Sequence, residues 1–306
     1  MLSVIINFFN MRREARNSLF SLSRGYQKNI DNLEYEVIAV DNGSSQPLSE
    51  AEVSAWGPQF KYRFFATQSP SPVQAINEAC RHAQGDRLMV MLDGAHILSP
   101  GILSLTDRAF ALFASPFVAT VAMHLGPNVQ NISVAEGYNQ DVEDRLLEQS
   151  QWRSNGYRLF TIADAFPDDS YGWFGCLLES NCFAMGKQAF FDLGGFDQRF
   201  QSPGGGLVNL DFFANAVSRE ELSYVVLLGE ASFHQVHGGI ATNAPVHEHP
   251  FGKFRDEFVR IRGRELRRVL RRPFFLGKVS HEAERATLMS AASGLEFWQK
   301  QGREAD

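Results

Sequence analysis

Cysteine is scarce. Cys80, Cys176 and Cys182 are the only three in 306 residues, they cannot all pair with one another, and none stands in a CxxC spacing. That argues against a disulfide framework and a thiolate zinc site, and makes buried thiols in the cytoplasm the expectation. Long apolar runs are missing as well: nothing approaches the roughly 18 residues of a membrane span. The opening LSVIINFF is short and is followed, not preceded, by Arg12 and Arg13, the wrong order for a signal peptide. Basic charge is not in excess, and a net charge of -6 gives no overall attraction to nucleic acid or an anionic surface, so nucleic acid is not an expected partner. Two phosphate-binding signatures are also absent. No GxGxxG follows the first apolar run, and no GxxxxGK precedes a Ser or Thr, which removes the dinucleotide fingerprint and the Walker loop. A nucleotide bound here needs another partner for its phosphates, and a divalent cation on a carboxylate would serve.

What is present alternates. SVIINFF reads as a buried strand, and residues 12 to 26 carry Ala15, Leu19, Leu22 and Tyr26 at helical spacing. YEVIAVDNGSS is a second strand that breaks at Asp41-Asn42-Gly43. A short strand near YRFFAT follows, then a helix opened by Ser71-Pro72 with Val73, Ile76, Ala79 and Ala83 on one stripe. LMVML is the next strand. Asp93 and His96 fall in the turn after it, and Ser99-Pro100-Gly101 starts a helix with Ser99 as N-cap. FVATVAMH is a fifth strand. Strand alternating with helix is the pattern of a parallel sheet with right-handed crossovers, which binds ligands outside the carboxyl ends of its strands. Asn7, Asn10, Asp41, Asp93 and His96 sit at those ends, although Asp41 and Asp93 also suit ordinary Asx turns.

In the second half, SYVVLLGEASFHQVHGG places a strand at Tyr224 to Leu228 and, after a turn, His234 and His237 three residues apart. In GGFDQRFQSPGGGLVNLDFFANAV, Asn209 is read as the cap of a helix and Asp211 lies in its first turn, where a carboxylate favours the helix dipole with no further purpose. Tyr171, Trp173 and Phe174 suit either a sugar-stacking surface or the core. Eight arginines lie between 255 and 272, a solvated face or else a dock for a membrane surface or acidic partner, and residues 280 to 301 look helical, packing on the rest of the chain or on a second subunit.

The blocks SVIINFFNMRREARNSLFSL, YEVIAVDNGSS, AINEACRHAQGD and LMVMLDGAHILSPG resemble, in order and spacing over about the first 105 residues, the family 2 glycosyltransferases. The resemblance implies an α/β GT-A fold, a Rossmann-like mixed and mostly parallel sheet flanked by helices, with a C-terminal helical extension. It implies a nucleotide-sugar-binding half over 1–125, an acceptor-binding half over 126–245 and the extension over 246–306. The implied reaction is inverting transfer of a sugar from a UDP- or GDP-sugar to a glycan or other hydroxyl acceptor.

Carried over by position, Phe8, Asn10 and Asp41 would hold the nucleobase, and Asp93 the diphosphate and its metal. The family's second aspartate falls on Ala95 and the following acidic position on His96. Imidazole favours Mn²⁺ over harder cations, so Asp93, His96 and a late histidine, His234 with His237 as understudy, form the expected manganese site. The alternative is that His96 only hydrogen-bonds in its turn. His247 and His249 fall near the same place. The general base passes to Asp211, because the first acidic position of the family's pair is Leu210; Glu179 is the rival base or an acceptor-orienting group, and Trp173 the acceptor-stacking ring. Two other classes stay open: a nucleotide-sugar-binding module without catalysis, and a nucleotidyltransferase, ranked last because NFFNMRR contains no glycine.

Overall fold

The computed structural model describes every residue except 68, 165, 167–170, 240–242, 244–249 and 306, and the side chains of 303–305. The first half runs β1 (Leu2–Phe8), α1 (Arg12–Ser21), β2 (Tyr35–Asp41), α2 (Glu50–Ser54), β3 (Phe60–Phe64), α3 (Val73–His82), β4 (Arg87–Met91), β5 (His96–Leu98), α4 (Ile102–Leu112) and β6 (Pro116–His124). After it come α5 (Gln130–Ala135), α6 (Gln140–Ser150), β7 (Cys182–Gly186), α7 (Lys187–Asp192), α8 (Val208–Val217), β8 (Ser223–His234), α9 (Phe251–Arg262), β9 (Phe274–Gly277) and α10 (Glu284–Ala305).

One sheet holds the described strands in the order β3-β2-β1-β4-β7-β6-β8-β5, with β9 on β8. β1, β2, β3 and β4 are mutually parallel, and β7 enters antiparallel between β4 and β6. β1 and β2 are buried at every position, so both faces of the sheet must be covered, and alternation divides their side chains between two layers. Val4, Ile6 and Phe8 pack with Ala15 and Leu19 of α1 on one face, while Ile5 packs with Val73, Ile76 and Cys80 of α3 on the other. The three cysteines are free and buried. No described helix is long and apolar enough to cross a membrane.

Several local expectations give way to tertiary contacts. Ser99 does not cap α4. Its hydroxyl donates to Glu230 Oε2 (2.5 Å), the same oxygen accepts the Gly101 N–H (3.0 Å), and the helix starts at Ile102, so β8 supplies the cap. α1 stops at Ser21, and the chain turns so that the Tyr26 hydroxyl donates to the Leu98 carbonyl (2.7 Å). β8 is longer than the apolar run and carries His234 as its last residue. His96 stands on β5 rather than in a turn. The arginine-rich segment is helical only to Arg262, and β9 beyond it adds a strand to the sheet, so the region past residue 246 is not helix alone.

Trp173 is a core residue, 1% exposed, and therefore has no face for an acceptor sugar. Against β6, β8 slips register between Val226 and Ala231, and Gly229 takes φ 78° there. The indole N–H bridges the Leu227 and Glu230 carbonyls (2.9 and 3.1 Å) across that bulge, satisfying groups that the ladder leaves over. Trp173→Ala is expected to lower the unfolding free energy by about 3–5 kcal/mol in urea titrations, the cost of a large buried side chain; a loss under about 1 kcal/mol would place the ring outside the core.

Candidate active site

Three strand ends make the rim of the site. The Asn42 N–H donates to the Phe8 carbonyl (2.9 Å) and Asn7 Nδ2 to the Leu92 carbonyl (3.2 Å), which stitches the ends of β1, β2 and β4 side by side. Asp41 is buried and spends its carboxylate on the following loop: Oδ1 accepts the Ser44 N–H (2.9 Å) and Oδ2 the Leu48 N–H (3.1 Å). Asn10, in the left-handed region at φ 55°, accepts from the Ser45 N–H (2.9 Å) and hydroxyl (3.0 Å). The two loops are thereby locked to one another. Phe8 does not reach the rim. It is 1% exposed, and its ring lies under Gly94, where a Cβ would come within 2.5 Å of it; the ring at the mouth belongs to Phe9, 46% exposed.

Beyond the rim, β5 and β8 pair antiparallel with His96 opposite His234, their ring centroids 4.9 Å apart. Asp93, His96 and His234 each bring one ligating atom within 4.8 Å of the others. Asp93 Oδ2 lies 3.3 Å from Nε2 of His234 and 3.3 Å from Nε2 of His237. Asn181 holds Asp93 from both sides, accepting its N–H (2.7 Å) and donating to its carbonyl (2.9 Å), while Asp93 Oδ1 accepts the Ala95 N–H (2.8 Å). Burial opposes the charge on Asp93, but His237 and His234 outweigh it and keep the carboxyl well below its ordinary range. Burial, aided by repulsion from His234, pushes His96 down to about 3, so this ring is neutral.

Gln130 fixes the tautomer of His234. Its Nε2 donates to the His234 carbonyl (2.9 Å), which identifies Oε1 as the acceptor; Oε1 receives Asn243 Nδ2 (2.8 Å) and lies 2.7 Å from His234 Nδ1. Nδ1 must then carry the proton. Burial lowers the pKa of His234 even against its hydrogen bond and attraction to Asp93, and with Nδ1 turned to Gln130 it is Nε2 that faces the carboxylate oxygen. A divalent cation between this nitrogen and the carboxylate oxygen would be ligated by both. The donors fit one: neighbouring ligands about 3 Å apart belong to a centre with bonds of about 2.0–2.2 Å. His237 Nε2, buried beside the same oxygen, has no geometrically good hydrogen bond among the described residues and is a further candidate donor. Its loop is held by Asn243 Oδ1, which accepts three successive N–H groups from His237 to Gly239 at 2.9–3.0 Å. His247 and His249 lie outside the described residues.

The two carboxylates considered as base part company. Asn209 is not a cap; it lies inside the first turn of α8 and its Nδ2 donates to Glu179 Oε2 (2.8 Å). Glu179 reaches solvent, yet protein crowds it enough that desolvation raises its pKa, with Asp93 adding to the rise and the Asn209 bond offsetting part of it. Asp211 lies two residues further along, about 200° around the helix, and turns the other way. Arg262 takes both of its oxygens (2.8 and 2.5 Å), so the structure does not bring Asp211 to Asp93 and the histidines. Gln130, Asn181 and Phe9 carry no motif of their own and are missed by sequence reasoning, and Asn209 is seen there only as a cap.

The mixed, mainly parallel sheet flanked by helices defines the class as a GT-A-type α/β fold, and its strand ends lead to an Asp-His-His cluster. The family model for glycosyl transferase family 2 matches residues 3–111. Among solved structures it is similar to S. aureus TarS 1-349, at 16% identity and a TM-score of 0.50 over 76% of this chain and 60% of that one. It is likewise similar to TarS 1-349 in complex with UDP, at 17% identity and a TM-score of 0.51 over 77% of this chain and 60% of that one. The chain thus spans 60% of the length of these TarS chains. No curated protein matches its sequence.

If Gln130 sets the Nε2 lone pair of His234 toward a metal, Gln130→Leu is expected to weaken Mn²⁺ binding by about 10- to 100-fold, the usual effect of losing an outer partner of a ligating histidine. Calorimetric titration of Mn²⁺ into both proteins checks it; equal affinities would remove His234 from the ligand set.

Proposed function

We propose that the protein transfers a sugar, with inversion, from a nucleotide-diphosphate donor, most simply a UDP-sugar, to a hydroxyl acceptor. The observation that carries this reading is the convergence of Asp93, His96 and His234 beside the strand ends that hold Asn10 and Asp41. The family 2 match over residues 3–111 and the UDP complex of the similar TarS structure support it. In this reading the locked Asn10–Ser45 and Asp41–Ser44 loops form the nucleobase seat, with Phe9 in place of Phe8 as the exposed ring. Asp93, His96 and His234, with His237 adjoining, hold a divalent cation, and the two to three imidazole nitrogens favour Mn²⁺ over Mg²⁺. Such a cation neutralises charge on the departing diphosphate.

Glu179 takes the role of base. Its carboxylate accepts the acceptor's hydroxyl proton as that oxygen bonds to the anomeric carbon, and the bond from that carbon to the diphosphate oxygen breaks on the opposite face. Asn209 orients Glu179 through its amide, and the raised pKa makes it a stronger base than an ordinary glutamate. Asp211, engaged by Arg262, is left out of the proton transfer and supports α8 instead.

Mn²⁺-dependent release of UDP from UDP-sugars tests the reading. Glu179→Gln is expected to lower kcat by about 10²–10⁴-fold with Mn²⁺-UDP affinity retained, whereas Asp211→Asn leaves the rate within a few-fold. The acid limb of the wild-type pH profile should lie above the ordinary glutamate range and vanish in Glu179→Gln, because protonation of the base as pH falls removes activity. A full rate in Glu179→Gln would exclude it as base. Mn²⁺-UDP binding with no turnover of any donor would favour a binding module.

A further inference from the structure

The long arginine-rich segment does not end as a solvated helix face. Beyond Arg262 it folds back over α8 and α3 and closes one wall of a recess of about 670 Å³, within the roughly 300–1,000 Å³ range of small-molecule sites. Five arginines, Arg81, Arg262, Arg264, Arg267 and Arg268, line it, against two aspartates, Asp197 and Asp211. Both acids are already engaged: Arg262 Nε and Nη2 grip Asp211, its Nη1 meets Asp197 Oδ2 (2.8 Å), and Arg199 also holds Asp197 (2.7 Å). Arg268 lies over the Tyr171 and Phe297 rings (5.5 and 5.2 Å). Arg81, Arg264 and Arg267 have no carboxylate partner among the described residues. Arg81 rests against the Phe191 ring (5.8 Å), and Arg264 donates only to the Glu265 carbonyl (3.2 Å).

Three exposed guanidiniums without a carboxylate partner among the described residues gather around one concavity on a chain of net charge -6. Each repels the others, and each presents a planar fork suited to oxyanions. A single carboxylate would leave two of the three charges uncompensated; a ligand with several phosphates, each adding at least one charge and two or more acceptor oxygens, answers them better. The recess also lies on the far side of α8 from Asn209, whose amide holds Glu179, so it is a different place from the cleft.

We infer that this recess is a second binding site, for a phosphate-bearing ligand, held by Arg81, Arg264 and Arg267. The ligand is either a compact free polyphosphate or a phosphodiester chain whose charges are spaced along it. The inference stands whether or not the cleft transfers sugar.

The test is calorimetry on the full chain in low salt with chelator present, so that no metal in the cleft draws the probes. Inorganic tripolyphosphate and a six-unit abasic deoxyribose phosphodiester are the two probes. Wild type is expected to bind at least one of them at a single site, with affinity falling as salt rises. Both Arg264→Gln/Arg267→Gln and Arg81→Gln should bind it at least 10-fold more weakly, while their circular dichroism spectra and thermal midpoints stay at the wild-type values and show that they are folded. Tripolyphosphate binding alone assigns the compact anion; binding of the phosphodiester assigns the chain. Absence of binding by both probes, or equal binding by wild type and variants, overturns the inference.

Discussion

The antiparallel pairing of β5 with β8 is the constraint on which the site depends. It puts His96 opposite His234 and, with the bend at Asp93, brings a carboxylate from the fourth strand's end against two imidazoles from a segment some 140 residues later. The pairing is itself held from outside the cleft. Glu230 on β8 receives both Ser99 and Gly101, so the start of α4 and the strand that carries His234 cannot move separately. Trp173 closes the bulge in the same stretch of β8. A buried acid, a buried indole and a helix start thus fix the spacing of ligands that none of them touches.

The outer partners set the chemistry as much as the ligands do. An Asp-His-His cluster without Gln130 would leave His234 free to choose either tautomer, and the Nε2–H form would simply donate to Asp93 as a satisfied hydrogen bond. Gln130 removes that option because its amide nitrogen is committed to the His234 carbonyl. Asn181 performs the analogous task for Asp93, gripping the backbone so that the carboxylate, not the chain, faces the histidines.

The α/β pattern, the strand ends and the residues of the cluster were legible because short-range signals encode them: continuous apolar runs, Asx turns, and two histidines three apart. Phe8 was misread because extended chain alternates its faces, and a one-residue choice between Phe8 and Phe9 decides core from rim. Asp211 is set apart from Glu179 for the helical counterpart of that reason: two residues along α8 separate the side that meets Glu179 from the side that meets Arg262. Ser99 looked like a cap, as its spacing allows, but a carboxylate 131 residues away outcompeted it. Gln130 gave no local sign, and Asn209 gave only that of a cap, since the meaning of both lies in distant partners.

Electron paramagnetic resonance of Mn²⁺ bound to protein labelled with ¹⁵N-histidine is the most direct test of the central claim. The account predicts hyperfine coupling from more than one imidazole nitrogen, lost stepwise in His234→Ala and His96→Ala and abolished with the site in Asp93→Asn. A spectrum with water and phosphate ligands alone, unchanged by any of these substitutions, would contradict it.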